Sequence, residues 1–270
     1  MEYLESGEGP VVIFLHGIGV DSRSFRFQLD TFASAGYRAV AWDMPGYGGS
    51  ASLNPMTFPG LADRLLYFLD ELDVDNAHVV GHSIGGMVVQ ELARTAQERL
   101  ASMTLAQTSP AFGKQDGSFQ QQFISERLQP LQDGKTMAEI AEQVIPRLIG
   151  DVPLEEGVQL ARDCMSRIPA DAYAAAVRCL VEFEGRDYLA HIAVPTLVLA
   201  GEKDTNAPVP MMEKMAQKIP DAEFFVISGV GHLAPMENPE AFNQLILAFL
   251  VKHAKEGTGG REMTSIGSHG

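Results

Sequence analysis

The sequence predicts an α/β fold, a mostly parallel sheet flanked by helices, interrupted once by a helical insertion. Three observations predict it. Short, continuously apolar runs alternate with helical spacing from Val11 to Leu105, as expected of βαβ units whose strands are buried on both faces. That rhythm stops between about Pro110 and Ile192 and resumes at Thr196. Glycine-rich or turn-forming clusters follow several of the strands, where an open α/β sheet carries its ligand-binding loops.

Val11 to Leu15 reads as the first buried strand, ending at His16-Gly17. Ser22 to Ala35 has helical spacing and stops at Gly36. Arg38 to Trp42 is the next strand, closed by Asp43-Met44-Pro45-Gly46-Tyr47-Gly48-Gly49-Ser50. From Pro59 to Leu72, the apolar residues Leu61, Leu65, Leu66, Phe68, Leu69 and Leu72 recur at three and four, which predicts a helix resting one face on a core. Ala77 to Val80 is a strand, Ser83 to Ala96 a helix, and Ala101 to Leu105 a strand. The insertion is glutamine-rich and helical, with breaks expected at Pro130, Pro146, Pro153 and Pro169. Thr196 to Ala200 and Glu223 to Ile227 are strands, Met211 to Ile219 and Pro239 to Lys255 helices. The expected organisation is a core formed by residues 1–109 and 193–256, a helical cap at 110–192, and a disordered Gly/Ser/Thr-rich tail at 257–270.

Composition narrows the function. The 270 residues carry 35 acidic and 20 basic side chains, a net charge of −15. Nucleic acid and anionic membrane surfaces need basic patches, so neither is an expected partner. No apolar run approaches the roughly 20 residues of a membrane span. Met1-Glu2-Tyr3-Leu4-Glu5-Ser6 lacks the positive and apolar regions of a secretory signal, so a cytoplasmic protein is expected. Cys164 and Cys179 are expected to be buried thiols rather than a disulfide. No Cys/His spacing resembles a zinc site, and neither metal nor cofactor is expected.

The chemistry is concentrated in loops. Gly81-His82-Ser83-Ile84-Gly85 is G-x-S-x-G between a strand and a helix. A turn that sharp leaves no room for side chains two residues either side of the serine, and it projects the hydroxyl beyond the strand ends. Serine at its ordinary pKa needs an adjacent base, and the base needs an orienting acid. His232, in Gly229-Val230-Gly231-His232-Leu233, follows the last strand and is the expected base. Asp204 follows the strand Thr196 to Ala200 and is the expected acid, with Glu202 as its competitor. His16, His78, His82, His191 and His253 read as packing, bracing or surface residues. Developing oxyanion charge calls for two N–H donors. Ile84 at the start of a helix supplies one, and His16-Gly17-Ile18-Gly19 the other, with Ile18 favoured over its glycine neighbours.

These elements, with Gly201-Glu202-Lys203-Asp204 and Gly231-His232-Leu233-Ala234-Pro235-Met236-Glu237-Asn238-Pro239, resemble the α/β-hydrolase fold in family order. Within it the chain is most similar to the branch of 3-oxoadipate enol-lactonases and related small esterases. The resemblance implies Ser83 as nucleophile, with Asp204 and His232 completing a triad in the family's chain order. It implies a cap inserted after Ala101 to Leu105. The family begins with two antiparallel strands, and only Met1 to Ser6 is available here, so the first antiparallel edge strand is expected to be missing. The implied activity is a cofactor-independent serine hydrolase cleaving a small carboxylic ester or lactone through an acyl-enzyme, an enol-lactone among the options. Perhydrolase or haloperoxidase activity, C–C bond hydrolysis and ligand reception are alternatives on the same fold. A serine at the elbow disfavours the haloalkane dehalogenase and epoxide hydrolase branches, which use aspartate there. Phe112, Phe123, Arg127, Met137 and Leu233 are the candidate substrate-binding residues, Arg127 as one of five cap arginines able to anchor an anionic substrate.

Overall fold

A computed structural model of the protein describes residues 1–113 and 116–258. Its first half runs β1 (Tyr3–Ser6), β2 (Val11–Leu15), α1 (Arg26–Ser34), β3 (Arg38–Trp42), α2 (Phe58–Glu71), β4 (Ala77–His82), α3 (Ile84–Ala96) and β5 (Leu100–Ala106). Helices α4 (Ser118–Gln132), α5 (Met137–Val144), α6 (Glu155–Ser166) and α7 (Ala170–Leu180) follow as the insertion. The chain then returns through β6 (Thr196–Gly201), α8 (Val209–Ala216), β7 (Glu223–Ile227), α9 (Ala234–Glu237) and α10 (Pro239–Thr258).

The strands form a seven-stranded sheet in the order β1-β3-β2-β4-β5-β6-β7. β1 pairs antiparallel with β3, Tyr3 opposite Trp42, and the remaining pairs are parallel. Alternation across the pleat explains the uninterrupted apolar runs. Ile13, Leu15, Val40, Trp42 and Val79 face one layer, with α2 and α3 residues such as Leu65, Phe68, Val88 and Leu92. Val12, Phe14, Ala39, Ala41 and Val80 face the other, with Phe25, Phe32, Phe242, Ile246 and Phe249. The insertion shares the first of these cores, contributing Leu128, Met137, Ile140, Val158, Met165 and Tyr173.

Three sequence expectations need correction. Pro130 does not break its helix: α4 continues to Gln132, and the carbonyls around the proline are taken up by Asp133 N–H on Gln129 (2.9 Å) and Lys135 N–H on Pro130 (2.9 Å). The stop is Gly134, whose φ of 84° suits a helix end. Ser22 to Ala35 is not one helix: Ser22–Phe25 is a 3₁₀ turn capped by the Asp21 carboxylate on Arg23 N–H, and α1 begins only at Arg26. The proposed tail starts too early, since Gly257 and Thr258 belong to α10, while 259–270 lie outside the described residues. Cys164 and Cys179 are buried and unbonded, and burial raises both thiols, Cys179 to about 12.

Candidate active site

The parallel strands β4, β5, β6 and β7 point their carboxyl ends to one rim, and the loops leaving that rim build the site. Ser83 sits in the single-residue turn between β4 and α3 at φ 55°, ψ −120°, a backbone conformation that costs a non-glycine residue on the order of 1–3 kcal/mol. A Cβ on Gly81 would lie 2.5 Å from the Gly85 carbonyl oxygen, and one on Gly85 would strike the Leu15 carbonyl. The two glycines therefore let α3 approach β2 and β4. The strained turn is tied down on both sides: Ser83 N–H donates to Ala106 O (3.0 Å), and Thr108 Oγ1 donates to Ser83 O (2.7 Å).

Three far-separated side chains meet there. The Ser83 hydroxyl lies 3.1 Å from His232 Nε2, and His232 Nδ1 lies 2.7 Å from Asp204 Oδ2. Burial by itself would raise the Asp204 carboxyl, but the adjacent His232 and the N–H groups of Ala207 and Asn206 outweigh it and hold the pKa below the usual value. An ionised Asp204 accepts from His232 Nδ1–H, which leaves Nε2 bare to accept from the serine hydroxyl. Glu202, the competing acid, is exposed and turned elsewhere: its Oε2 accepts from Ser228 Oγ (2.6 Å) and Gly229 N–H (2.7 Å).

The other histidines brace. His82 is 2% exposed, and its Nε2–H donates to the His232 carbonyl (2.6 Å). Burial first, then the neighbouring His232, holds the His82 imidazole down to about 3, so it stays neutral. His16 Nδ1–H donates to Gly17 O (2.8 Å), and its Nε2 accepts from Met44 N–H (3.1 Å), tying the loop after β2 to the loop after β3. Tyr47 adds a hydroxyl donation to Ile18 O (3.0 Å). Ile18 lines the cavity beside Ser83. Ile84 is the first residue of α3, so its N–H has no intrahelical acceptor.

The cavity above Ser83 measures about 710 Å³ and is walled by both core loops and the insertion. Phe112, Phe123, Arg127 and Leu233 line it, as do Phe119, Met87 and Tyr173. Met137 does not line it. It opens α5 and packs into the core at 7% exposure, while Ile140 and Val144, further along the same helix, reach the cavity wall. A separate hollow of about 650 Å³ beside Phe58 and Phe183 contains none of the serine, histidine and aspartate above. Among the described residues no cluster of His, Cys, Asp or Glu is arranged to hold a metal, and no helix is long and apolar enough to cross a membrane.

Sequence reasoning assigned no role to Glu237, although it lies in the segment after His232. Its buried carboxylate accepts three backbone N–H groups: Gly231 (3.0 Å) and Leu233 (2.8 Å), flanking His232, and Gly150 (2.6 Å) from the insertion. Burial pushes its carboxyl up, and those donors and His232 oppose the rise. His232 N–H in turn donates to Leu148 O (2.6 Å). The available signal was a carboxylate in a short helical turn five residues after the histidine.

Comparison with known proteins agrees with this architecture. 3-Oxoadipate enol-lactonase 1 of Acinetobacter baylyi is 29% identical over 244 residues, covering 89% of this chain and 88% of that protein. A 2-hydroxy-6-oxononadienedioate/2-hydroxy-6-oxononatrienedioate hydrolase from a Pseudomonas species is 28% identical over 261 residues, 92% of this chain and 90% of that one. Among solved structures, a thermophilic esterase from Thermogutta terrifontis with malate bound superposes with a TM-score of 0.82 at 30% identity, covering 93% of each chain. Residues 10–239 match the family model of the alpha/beta hydrolase fold, and the chain belongs to that family.

Proposed function

We propose that the chain is a cofactor-independent serine hydrolase that cleaves a small carboxylic ester or lactone through an acyl-enzyme. The observation that carries this reading is the hydrogen-bonded row from Ser83 through His232 to Asp204, opening on the cavity. The similarity to an enol-lactonase and an esterase supports the choice of substrate class.

In the proposed reaction His232 Nε2 takes the Ser83 proton as Oγ attacks the carbonyl carbon. Charge passes to the carbonyl oxygen, and the N–H groups of Ile18 and Ile84 receive it; losing one such donor costs about 10²–10³ in rate. His232, now protonated and stabilised by Asp204, gives its proton to the departing oxygen. The carbon–oxygen bond breaks, leaving the acyl group on Ser83. A water molecule then attacks with His232 again as base, releasing the acid and restoring the serine. In a lactone the departing oxygen stays tethered, so one ring-opened hydroxy acid, or its keto tautomer, leaves. Residues 110–192 act in this proposal as a cap that closes the cavity from above, and the core is 1–109 with 193–256.

The test is hydrolysis of 4-nitrophenyl butyrate and of a lactone panel. Ser83→Ala is expected to lower kcat by at least about 10³-fold with the protein still folded. Undiminished hydrolysis in that variant would end the proposal.

A further inference from the structure

The cavity wall brings a buried hydroxyl together with a cation that pairs with no described carboxylate. Tyr173 on α7 is 1% exposed and lines the cavity; its hydroxyl has Arg127 as a charged neighbour, at a geometry short of a full hydrogen bond. A buried hydroxyl without a full hydrogen bond is costly, on the order of a few kcal/mol, and calls for a ligand or water to complete it. Facing it from α4 is Arg127, whose positive charge acts on the Tyr173 hydroxyl. The Arg127 guanidinium carbon lies 5.2 Å from the Phe123 ring centroid, so the ring supports one face of the planar group and leaves its N–H edge to point elsewhere.

Among the described residues Arg64, Arg127, Arg147, Arg167 and Arg178 form no ion pair, and of these only Arg127 and Arg147 line the cavity above Ser83. In a chain of net charge −15, Arg23, Arg26, Arg38, Arg94, Arg99, Arg162 and Arg186 each form an ion pair with a carboxylate. Arg127, half-buried in the cavity wall, forms none with any described carboxylate. The adjoining Glu126 also reaches the cavity mouth, but it is exposed and accepts from Gln122 Nε2 (2.7 Å) along α4. Arg147 is a second unpaired cation at the exposed rim, where water screens it.

We infer that Arg127 and Tyr173 form a subsite for a carboxylate carried by the substrate, so that the natural ester or lactone is an anion. One carboxylate oxygen takes the guanidinium edge and the other the Tyr173 hydroxyl, while Phe112 and Phe123, in edge-to-face contact at 4.8 Å between centroids, form one apolar wall beside the intervening chain. The overall negative field opposes entry of an anion, and the unpaired Arg127 and Arg147 supply local positive charge at the cavity wall and rim. The inference rests on Ser83 acting as the hydrolytic nucleophile of the same cavity.

Matched ester pairs test it. The acyl arm compares 4-nitrophenyl hemiglutarate with 4-nitrophenyl valerate, and the alcohol arm compares 4-carboxyphenyl butyrate with phenyl butyrate. The readout is the ratio of kcat/KM, charged over neutral, in wild type, Arg127→Gln, Arg147→Gln and Tyr173→Phe, each checked for folding by its melting temperature. In one arm the wild-type ratio is expected to favour the charged ester. Arg127→Gln is expected to lower that ratio about ten- to a hundredfold and Tyr173→Phe about tenfold, with Arg147→Gln having a smaller effect. No preference in either arm, or a preference that survives both Arg127→Gln and Tyr173→Phe, overturns the subsite while hydrolysis of the neutral esters keeps the Ser83 reading intact. Failure to hydrolyse any of the four esters would instead remove the reading on which the subsite rests.

Discussion

At the scale of single residues, the site separates carboxylates and imidazoles of identical chemistry by what surrounds them. Asp204 and Glu202 are two residues apart, but one is buried against His232 Nδ1 and the other holds the backbone of the loop at Gly229. Asp204→Asn presents an amide that cannot fix the same histidine tautomer. It is expected to lower kcat by about 10³–10⁴ with little change in KM, whereas Glu202→Gln is expected to stay within about threefold. Steady-state kinetics on one ester distinguishes the two. His82 gives a prediction in pH. Burial and His232 hold its imidazole down to about 3 from 6.5. Between those values the unfolded chain binds a proton that the folded protein refuses, so stability falls as pH drops. The loss expected from this group at pH 5 is about 2 kcal/mol relative to pH 7. His82→Gln removes this titration while keeping a side-chain N–H for the His232 carbonyl. Urea unfolding at pH 7 and pH 5 is expected to show a smaller acid loss in the variant. An equal loss would mean that His82 is not the neutral brace described here.

At the scale of elements, the insertion does more than roof the cavity. Leu148 O receives His232 N–H, Asp151 N–H donates to Gly229 O (2.9 Å), and Glu237 joins Gly150 to both neighbours of His232. His232 is therefore held between β7, α9 and the link from α5 to α6. Glu237→Gln turns one acceptor into a donor against backbone N–H groups. It is expected to cost about 2 kcal/mol in urea unfolding and to reduce kcat more than it raises KM. The strands and the elbow were readable because periodicity and glycine placement are local: Val11 to Leu15, Arg38 to Trp42 and Glu223 to Ile227 have the same limits in sequence and structure. The proline in α4 was misread because the rule that proline ends a helix is weaker near a C-terminus, where Gly134 was the actual stop. Met137 could equally have lined a pocket or packed the cap, since its apolar character does not tell a core from a cavity wall, and it packs the core.

At the scale of the whole molecule, one sheet brings residues 83, 204 and 232 to a common rim, and chain order alone made that convergence foreseeable. The details that depend on packing across the fold were not. Tyr173 meets Arg127 from a different helix of the insertion, and Glu237 meets Gly150 87 residues away in sequence, where no local pattern specifies partners. The family match likewise spreads over residues 10–239, while α4, α5 and α7 contribute side chains to the cavity wall. On the proposed function, Ser83 is a nucleophile activated by His232. A fluorophosphonate probe followed by peptide mass mapping tests it most directly. The expected result is one covalent adduct per chain, on Ser83, formed at least about a hundredfold more slowly in His232→Ala; an adduct on another residue, or labelling of Ser83 at an undiminished rate in that variant, would contradict it.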